Sequence, residues 1–206
     1  LVFDNYAVER FRLNDDPIMY PSIDWRRYLL NKTSVQTQHN LNISGGTKDI
    51  RYFISLGFLY QNGLLKQFEG VGYDNNYKYK RYNYRANLDF DATKTTTLKI
   101  GIGGIVGNRN EPMINDATNS IWTLINQTTP FSSPGVIDGQ LIVTPEERFD
   151  NKINLGNSAL PKCYGTGYST AINNTMNLDL LLNQKLDFIT KGLSAEIKGA
   201  YNTSYG

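Results

Sequence analysis

Few residues in this sequence could do chemistry, and their spacing limits what each can do. GIGGIVG (Gly101 to Gly107) suggests a phosphate-cradling turn. A G-x-G-x-x-G loop, however, needs a glycine where Val106 stands and a helix after it, and no helical periodicity follows. The block YKYKRYNYR (Tyr77 to Arg85) mixes bases with aromatic rings, as platforms for single-stranded nucleic acid do. From Arg81 onward tyrosine and arginine alternate, so they project from opposite faces of a strand and cannot grip one ligand. His39 is the only histidine and Cys163 the only cysteine. One of each, far apart and without an orienting motif, supports neither a metal site nor a nucleophile–base pair nor a disulfide framework. These residues call for no cofactor and no catalysis. A different set sits in longer polar stretches: Trp25, Trp122, Phe131 and Tyr164, with acids at Asp116, Asp138, Glu146 and Glu147. Their ring faces suit stacking on sugars or contact with a covering protein, and equally the packing of long loops against themselves.

The elements that must carry these residues are strands. The 206 residues include 14 Tyr, 9 Phe and 18 Gly, a composition of many strands with polar connections. Bases and acids nearly cancel, 21 against 19, which removes the electrostatic case for nucleic acid. Mean hydropathy is −0.43 and no apolar run reaches 18 residues, so a membrane-spanning helix is excluded while a membrane-spanning strand is not.

Six segments alternate with period two. Val35, Thr37, His39, Leu41 and Ile43 share one face of the first; Ile50, Tyr52, Ile54, Leu56, Phe58 and Tyr60 share one face of the second. In the third, Tyr82, Tyr84, Ala86, Leu88 and Phe90 oppose Arg81, Asn83, Arg85, Asn87, Asp89 and Asp91. Leu98, Ile100, Ile102 and Val106 oppose Lys99, Gly101, Gly103 and Gly107 in the fourth. Ile172, Met176, Leu178, Leu180 and Leu182 line the fifth, and Leu193, Ala195, Ile197 and Tyr201 the sixth. Each segment is about ten residues, enough to cross a bilayer core at a tilt near 45°.

The connections come in two kinds. GGTKD (Gly45 to Asp49), ATKTT (Ala92 to Thr96) and ITKG (Ile189 to Gly192) are short, whereas Gln61 to Lys80 and Asn108 to Gly167 are long. Short and long alternate, so tight turns gather at one end of the strands and long loops at the other, as in a transmembrane barrel with periplasmic turns and extracellular loops. Leu1 to Ser34 then leads in from the long-loop end, with a short helix expected around DWRRYLL and another in NDATNSIWTLINQ. On this reading the apolar face meets lipid and the polar face lines the lumen. The competing reading is a soluble, secreted all-β carbohydrate-binding module with the apolar faces packed as a core. Six strands fall short of the roughly eight that close a barrel, so partners or further residues must complete it. The chain begins at LVFDNY without an initiator Met and ends at NTSYG inside a strand-like pattern, the look of a piece of something longer.

Particular residues then become familiar. YPSIDW (Tyr20 to Trp25), QHNLNISGGTKDIRYFISLGFLYQNGLLK (Gln38 to Lys66), YKRYNYRANLDF (Tyr79 to Phe90), TKTTTLKIGIGG (Thr93 to Gly104), RNEP (Arg109 to Pro112) and LLLNQKLDFITKGLSA (Leu180 to Ala195) resemble the SusC-like family of TonB-dependent outer-membrane transporters. The resemblance spans most of the chain apart from the loop from Ser120 to Thr170. It implies an all-β fold: an antiparallel, up-and-down transmembrane β-barrel, of whose 22 strands these six are about the second to the seventh. Residues 1–34 become the tail of an extracellular loop, and residues 35–206 barrel wall with long extracellular loops at 61–80 and 108–167. A plug and a TonB-contacting segment would lie elsewhere. The implied activity is import of oligosaccharides or peptides across the outer membrane of a Gram-negative bacterium, with a SusD-like surface lipoprotein as lid and no nucleic acid as partner. Arg81, Arg85, Asn87, Gly101 and Gly103 would face the lumen and plug. The arginines would either pair with carboxylates such as Asp89 or line the substrate path, and the glycines would let a plug backbone approach closely. Trp25, Trp122, Phe131 and Tyr164 would stand at the extracellular end as candidate substrate or lid contacts.

Overall fold

The computed structural model describes residues 4–114, 120–142 and 159–206. In chain order the elements are α1 (Asn5–Leu13), α2 (Trp25–Leu29), β1 (Gln36–Gly46), β2 (Ile50–Asn62), β3 (Lys78–Asp91), β4 (Thr96–Pro112), α3 (Ile121–Gln127), β5 (Val136–Ile137), β6 (Gln140–Leu141), α4 (Ala159–Tyr164), β7 (Tyr168–Lys185) and β8 (Ser194–Tyr205). They divide into two compact units.

The sheet unit comprises Gln36–Gln61, Lys78–Arg109 and Ala171–Gly206. Its strands lie in the order β1-β2-β3-β4-β7-β8, so each pairs with its neighbour among the long strands of the chain. Side-chain alternation sets the register at both edges. Leu41 pairs with Leu56 and Ile43 with Ile54, and Leu178 pairs with Tyr201 and Leu182 with Ile197. Apolar thus meets apolar on one face, and polar pairs such as Asn42 with Ser55 take the other. The three turns are 47–49, 92–95 and 186–193, and local side chains close them. Thr47 Oγ1 accepts from the amide of Ile50 at 3.3 Å. Thr93 Oγ1 accepts from the amides of Thr95 and Thr96 at 3.2 and 3.0 Å. Asp187 Oδ1 accepts from the Gly192 amide at 2.7 Å, where Gly192 supplies a φ of +84°.

Strands β4 and β7 run 17 and 18 residues, longer than their apolar alternation. Ladder hydrogen bonds need no apolar side chain, so pairing continues into Asn108–Pro112 and Tyr168–Thr170. The long connections accordingly span 63–77 and 113–167 rather than the expected 61–80 and 108–167.

Among the described residues, the apolar face of the sheet is largely exposed. Leu41, Ile43, Tyr52, Ile54, Leu56, Tyr82, Phe90, Leu180, Leu182 and Tyr201 are all exposed, Leu56 at 48% and Tyr201 at 58%. Leu88 and Ile100 are only half-buried. Among the described residues, the sheet unit buries one large hydrophobic side chain, Leu59.

The loop unit, Leu1–Val35, Asn62–Tyr77 and Asn110–Thr170, is built the opposite way. Trp25, Leu29, Leu65, Ile121, Leu124, Ile125, Ala159, Leu160, Cys163 and Tyr164 form one buried cluster drawn from three separate segments. Helices α2, α3 and α4 are 5, 7 and 6 residues long, too short to persist alone in water. The core holds them, and N-caps orient two of them: Asp24 accepts from the Arg27 amide at 3.2 Å and Ser120 from the Thr123 amide at 3.3 Å. Helix α1 is capped likewise by Asp4 onto Ala7 at 2.6 Å and ends in left-handed Asn14. The expected short helices at DWRRYLL and in NDATNSIWTLINQ correspond to α2 and α3, while α4 and the β5–β6 hairpin carry no periodic signal.

Candidate functional site

The polar face of the sheet unit holds a cleft of about 520 Å³. Period two places Arg81, Asn83 and Arg85 of β3 on that face, beside Phe53 and Ser55 of β2, Gly103 and Ile105 of β4, and Thr175 and Asn177 of β7. Gly103 and Gly104 line it, and Gly101 lies beyond its lining on the same strand. A methyl group added to Gly101 would lie 3.4 Å from Asn87 Oδ1 and 3.6 Å from Asp179 Cβ, so these three residues share the face. Added to Gly103 it would meet only the Tyr84 carbonyl, at 3.4 Å. Both are ordinary contacts, so the glycines leave open space rather than relieve a clash. Gly104 is different, because its added methyl would strike the Thr175 carbonyl and the Tyr84 ring.

Charge on this face is unevenly matched. Arg51 lies 3.9 Å from Asp89 and 3.4 Å from Asp91, and Asp91 also accepts from the Thr97 hydroxyl at 2.8 Å. Asp89 therefore belongs to Arg51. Arg81 and Arg85 carry no ion pair among the described residues. Arg81 Nε and Asn83 Oδ1 are buried without a hydrogen-bond partner among them, a costly condition for a polar atom removed from water.

His39 lies on the apolar face, stacked on its register partner Phe58 at 6.4 Å, and Phe58 packs on Tyr82 at 5.1 Å. No group of three or more His, Cys, Asp or Glu gathers among the described residues.

The four loop aromatics are scattered in environment. Trp25 is buried, donates Nε1–H to the Thr129 carbonyl at 2.8 Å and meets Tyr28 edge-on at 5.5 Å. Tyr164 is buried and donates its hydroxyl to the Lys66 carbonyl at 2.7 Å. Neither offers a ring face. Phe131 is half-buried against Phe11 at 4.5 Å. Trp122 is exposed on α3 above a crevice of about 10 Å³, room for no more than one water. Asp138 occupies the β5–β6 turn at φ +50°, while Asp116, Glu146 and Glu147 lie outside the described residues. Cys163 is enclosed, and burial pushes its thiol up to about 12, which leaves it protonated and unreactive at neutral pH.

Periodicity alone could not find Phe53, Ser55, Thr175 and Asn177 as walls of the cleft, because they become neighbours of Arg81 only through strand pairing. Nor did it find the aromatic group around α1, where Tyr6 and Phe11 meet Tyr20 edge-on at 6.2 and 5.4 Å and Arg10 lies over the Tyr20 ring at 5.6 Å.

No family model matches the chain. It is 28% identical over 125 residues to the TonB-dependent receptor SusC of Bacteroides thetaiotaomicron, covering 54% of this chain and 12% of that protein. Two solved structures share its fold. One is the RagAB peptide transporter, at a TM-score of 0.60 and 15% identity, covering 97% of this chain and 22% of that one. The other is the RagAB peptide importer in the 'closed-closed' state, at 0.58 and 16%, covering 89% and 19%. The chain thus spans about an eighth of the receptor and about a fifth of each solved chain. Its sequence over the matched stretch is similar to a SusC-like TonB-dependent transporter, and its all-β strand array has the fold of such transporters. These relatives are a receptor, a transporter and an importer, not enzymes.

Proposed function

We propose that this chain is a section of wall from a TonB-dependent outer-membrane importer, with the apolar face of the sheet against lipid and the polar face toward the lumen. A single observation carries the reading: among the described residues an apolar face runs over six strands and is left largely exposed, although the same chain builds a buried core elsewhere. A soluble sandwich would cover that face with a second layer. Lipid would bathe it at no such cost, since the ladder already satisfies the backbone.

The tight turns would then lie at the periplasmic side, and the loop unit, made of 1–35, 62–77 and 110–170, would be extracellular. A SusD-like lipoprotein would be its surface partner and the TonB complex its energy source, through other parts of the protein. The substrate would be an oligosaccharide or a peptide. Likeness to the RagAB peptide importer favours the peptide, and likeness to SusC leaves the oligosaccharide as the second case.

The test is uptake by the whole protein in a Gram-negative host, with labelled peptides and oligosaccharides, with and without the energising inner-membrane complex. The expected result is recovery in the outer-membrane fraction and uptake of one class that stops when the complex is removed. Recovery in the soluble fraction, or uptake of neither class, would contradict the reading.

A further inference from the structure

Charge is sorted between the two faces of the sheet unit. Every carboxylate on its strands, Asp89, Asp91, Asp179 and Glu196, stands in the polar-face register. The apolar face carries no acid, and its ionisable side chains other than tyrosine are His39, Lys78 and Lys80. Such a face is matched to an anion and has no partner for a second cation. Lys78 and Lys80 open β3 at the end away from the tight turn 92–95, so the positive charge lies at the long-loop edge of the face. Lys80 is exposed and takes part in no ion pair among the described residues. Next to that edge the same face holds a groove of about 370 Å³, lined by His39 and Leu41 of β1, Leu56 and Phe58 of β2, and Tyr82 and Tyr84 of β3. Tyr82, whose ring packs on Phe58 at 5.1 Å, is roughly 7 Å along the strand from Lys80, a gap that a lysine stem spans. Cation, aromatic rings and apolar groove thus follow one another along β3 in the order of the parts of an amphiphile. A peptide backbone fits poorly, because the groove crosses β1 to β3 rather than following a free strand edge, and the ladder already uses the amides there. A zwitterionic headgroup would leave its own ammonium without an acid to meet.

We propose that this groove and Lys80 hold one anionic membrane lipid from the leaflet on the long-loop side, its headgroup phosphate on the Lys80 ammonium and an acyl chain in the groove between Leu41, Leu56 and Tyr84. The inference rests on the apolar face being the one that meets lipid, and it adds which lipid that face selects and where.

The test uses the full-length protein in phosphatidylcholine liposomes, carrying Cys163→Ala and a bimane label on Ile43→Cys. Position 43 lies on the same face just past the groove, paired with Ile54. Quenching is followed as phosphatidic acid or phosphatidylcholine, each with a nitroxide on its acyl chain, is titrated in. The expected result is half-quenching at a mole fraction of phosphatidic acid about fivefold lower than of phosphatidylcholine, the preference that one lysine gives at a charged membrane surface, with the gap narrowing as salt rises. Lys80→Gln should close the gap while quenching by phosphatidylcholine stays as in the parent protein, which shows that the variant is folded and inserted. Lys80→Arg, which retains the charge, and Lys99→Gln, on the polar face, should both keep the gap. Equal quenching of the parent by the two lipids overturns the inference, as does a gap that survives Lys80→Gln, disappears in Lys80→Arg or disappears in Lys99→Gln. Those outcomes leave the lipid-facing reading standing, since phosphatidylcholine still reaches the label. Quenching by neither lipid sinks both.

Discussion

The loop unit and the sheet unit answer the same physical problem in opposite ways. In the loop unit, Leu29, Leu124, Leu160 and Tyr164 are sealed from solvent in one core. In the sheet unit, Leu41, Ile54, Leu56, Leu180 and Ile197 are laid out on one face and exposed. Burial of apolar surface is the main driving force of folding in water, so a chain able to build the first unit does not need to leave the second uncovered. An exposed apolar patch of this extent marks a contact surface. The simplest account is two solvents, with the loop unit folded for water and the sheet for hydrocarbon.

Truncation and charge insertion should therefore act differently in the two units. The largest effect is expected in the loop core: Leu124→Ala or Leu160→Ala should lower its opening free energy by about 2–5 kcal/mol, read by amide hydrogen exchange on the whole protein. Ile54→Ala on the sheet should cost far less, because lipid fills the space that a protein core would leave as a cavity. Equal costs would erase the distinction.

Charge reverses the order on the sheet. Leu88→Arg or Ile100→Arg should cost about 2–4 kcal/mol for folding in lipid vesicles, the penalty of a cation at mid-bilayer depth. Asn87→Arg, one residue away on the polar face, should be tolerated. Next in size, Trp25→Phe should cost about 0.5–1.5 kcal/mol, since it removes the indole hydrogen bond to the Thr129 carbonyl, which keeps the Ser132 amide. Ser120→Ala should remove about 0.5–2 kcal/mol from α3 by deleting its cap. The smallest effect is chemical. Cys163 should resist maleimide at pH 8 in the folded protein and react at once after denaturation, because its thiol lies well above that pH until burial is lost. Rapid labelling of the native protein would mean that the loop core is open.

How much of this was legible in the sequence follows the same division. A strand announces its faces every second residue, so the six long strands, the placement of Arg81, Arg85 and Gly101 on one side, and turns such as TKD and TKTT could be read directly. The loop core could not, because Trp25, Leu65, Leu124 and Tyr164 are brought together from stretches with no common period. That is why Trp25 and Tyr164 read as surface candidates and turn out to be interior. The cleft was half legible. Its arginines follow from alternation, but its walls at Ser55 and Thr175 depend on which strands pair.

The central claim, that hydrocarbon contacts the apolar face, is open to one direct measurement. Nitroxide labels placed singly at Ile54, Leu88 and Ile100, and at their neighbours Ser55, Asn87 and Gly101, would be read in the full-length protein in liposomes by collision with oxygen and with a water-soluble nickel complex. The account predicts that Ile54, Leu88 and Ile100 collide mainly with oxygen and their neighbours do not. If these three positions were shielded from both reagents, a packed protein layer would cover the face and the two-solvent account would be wrong.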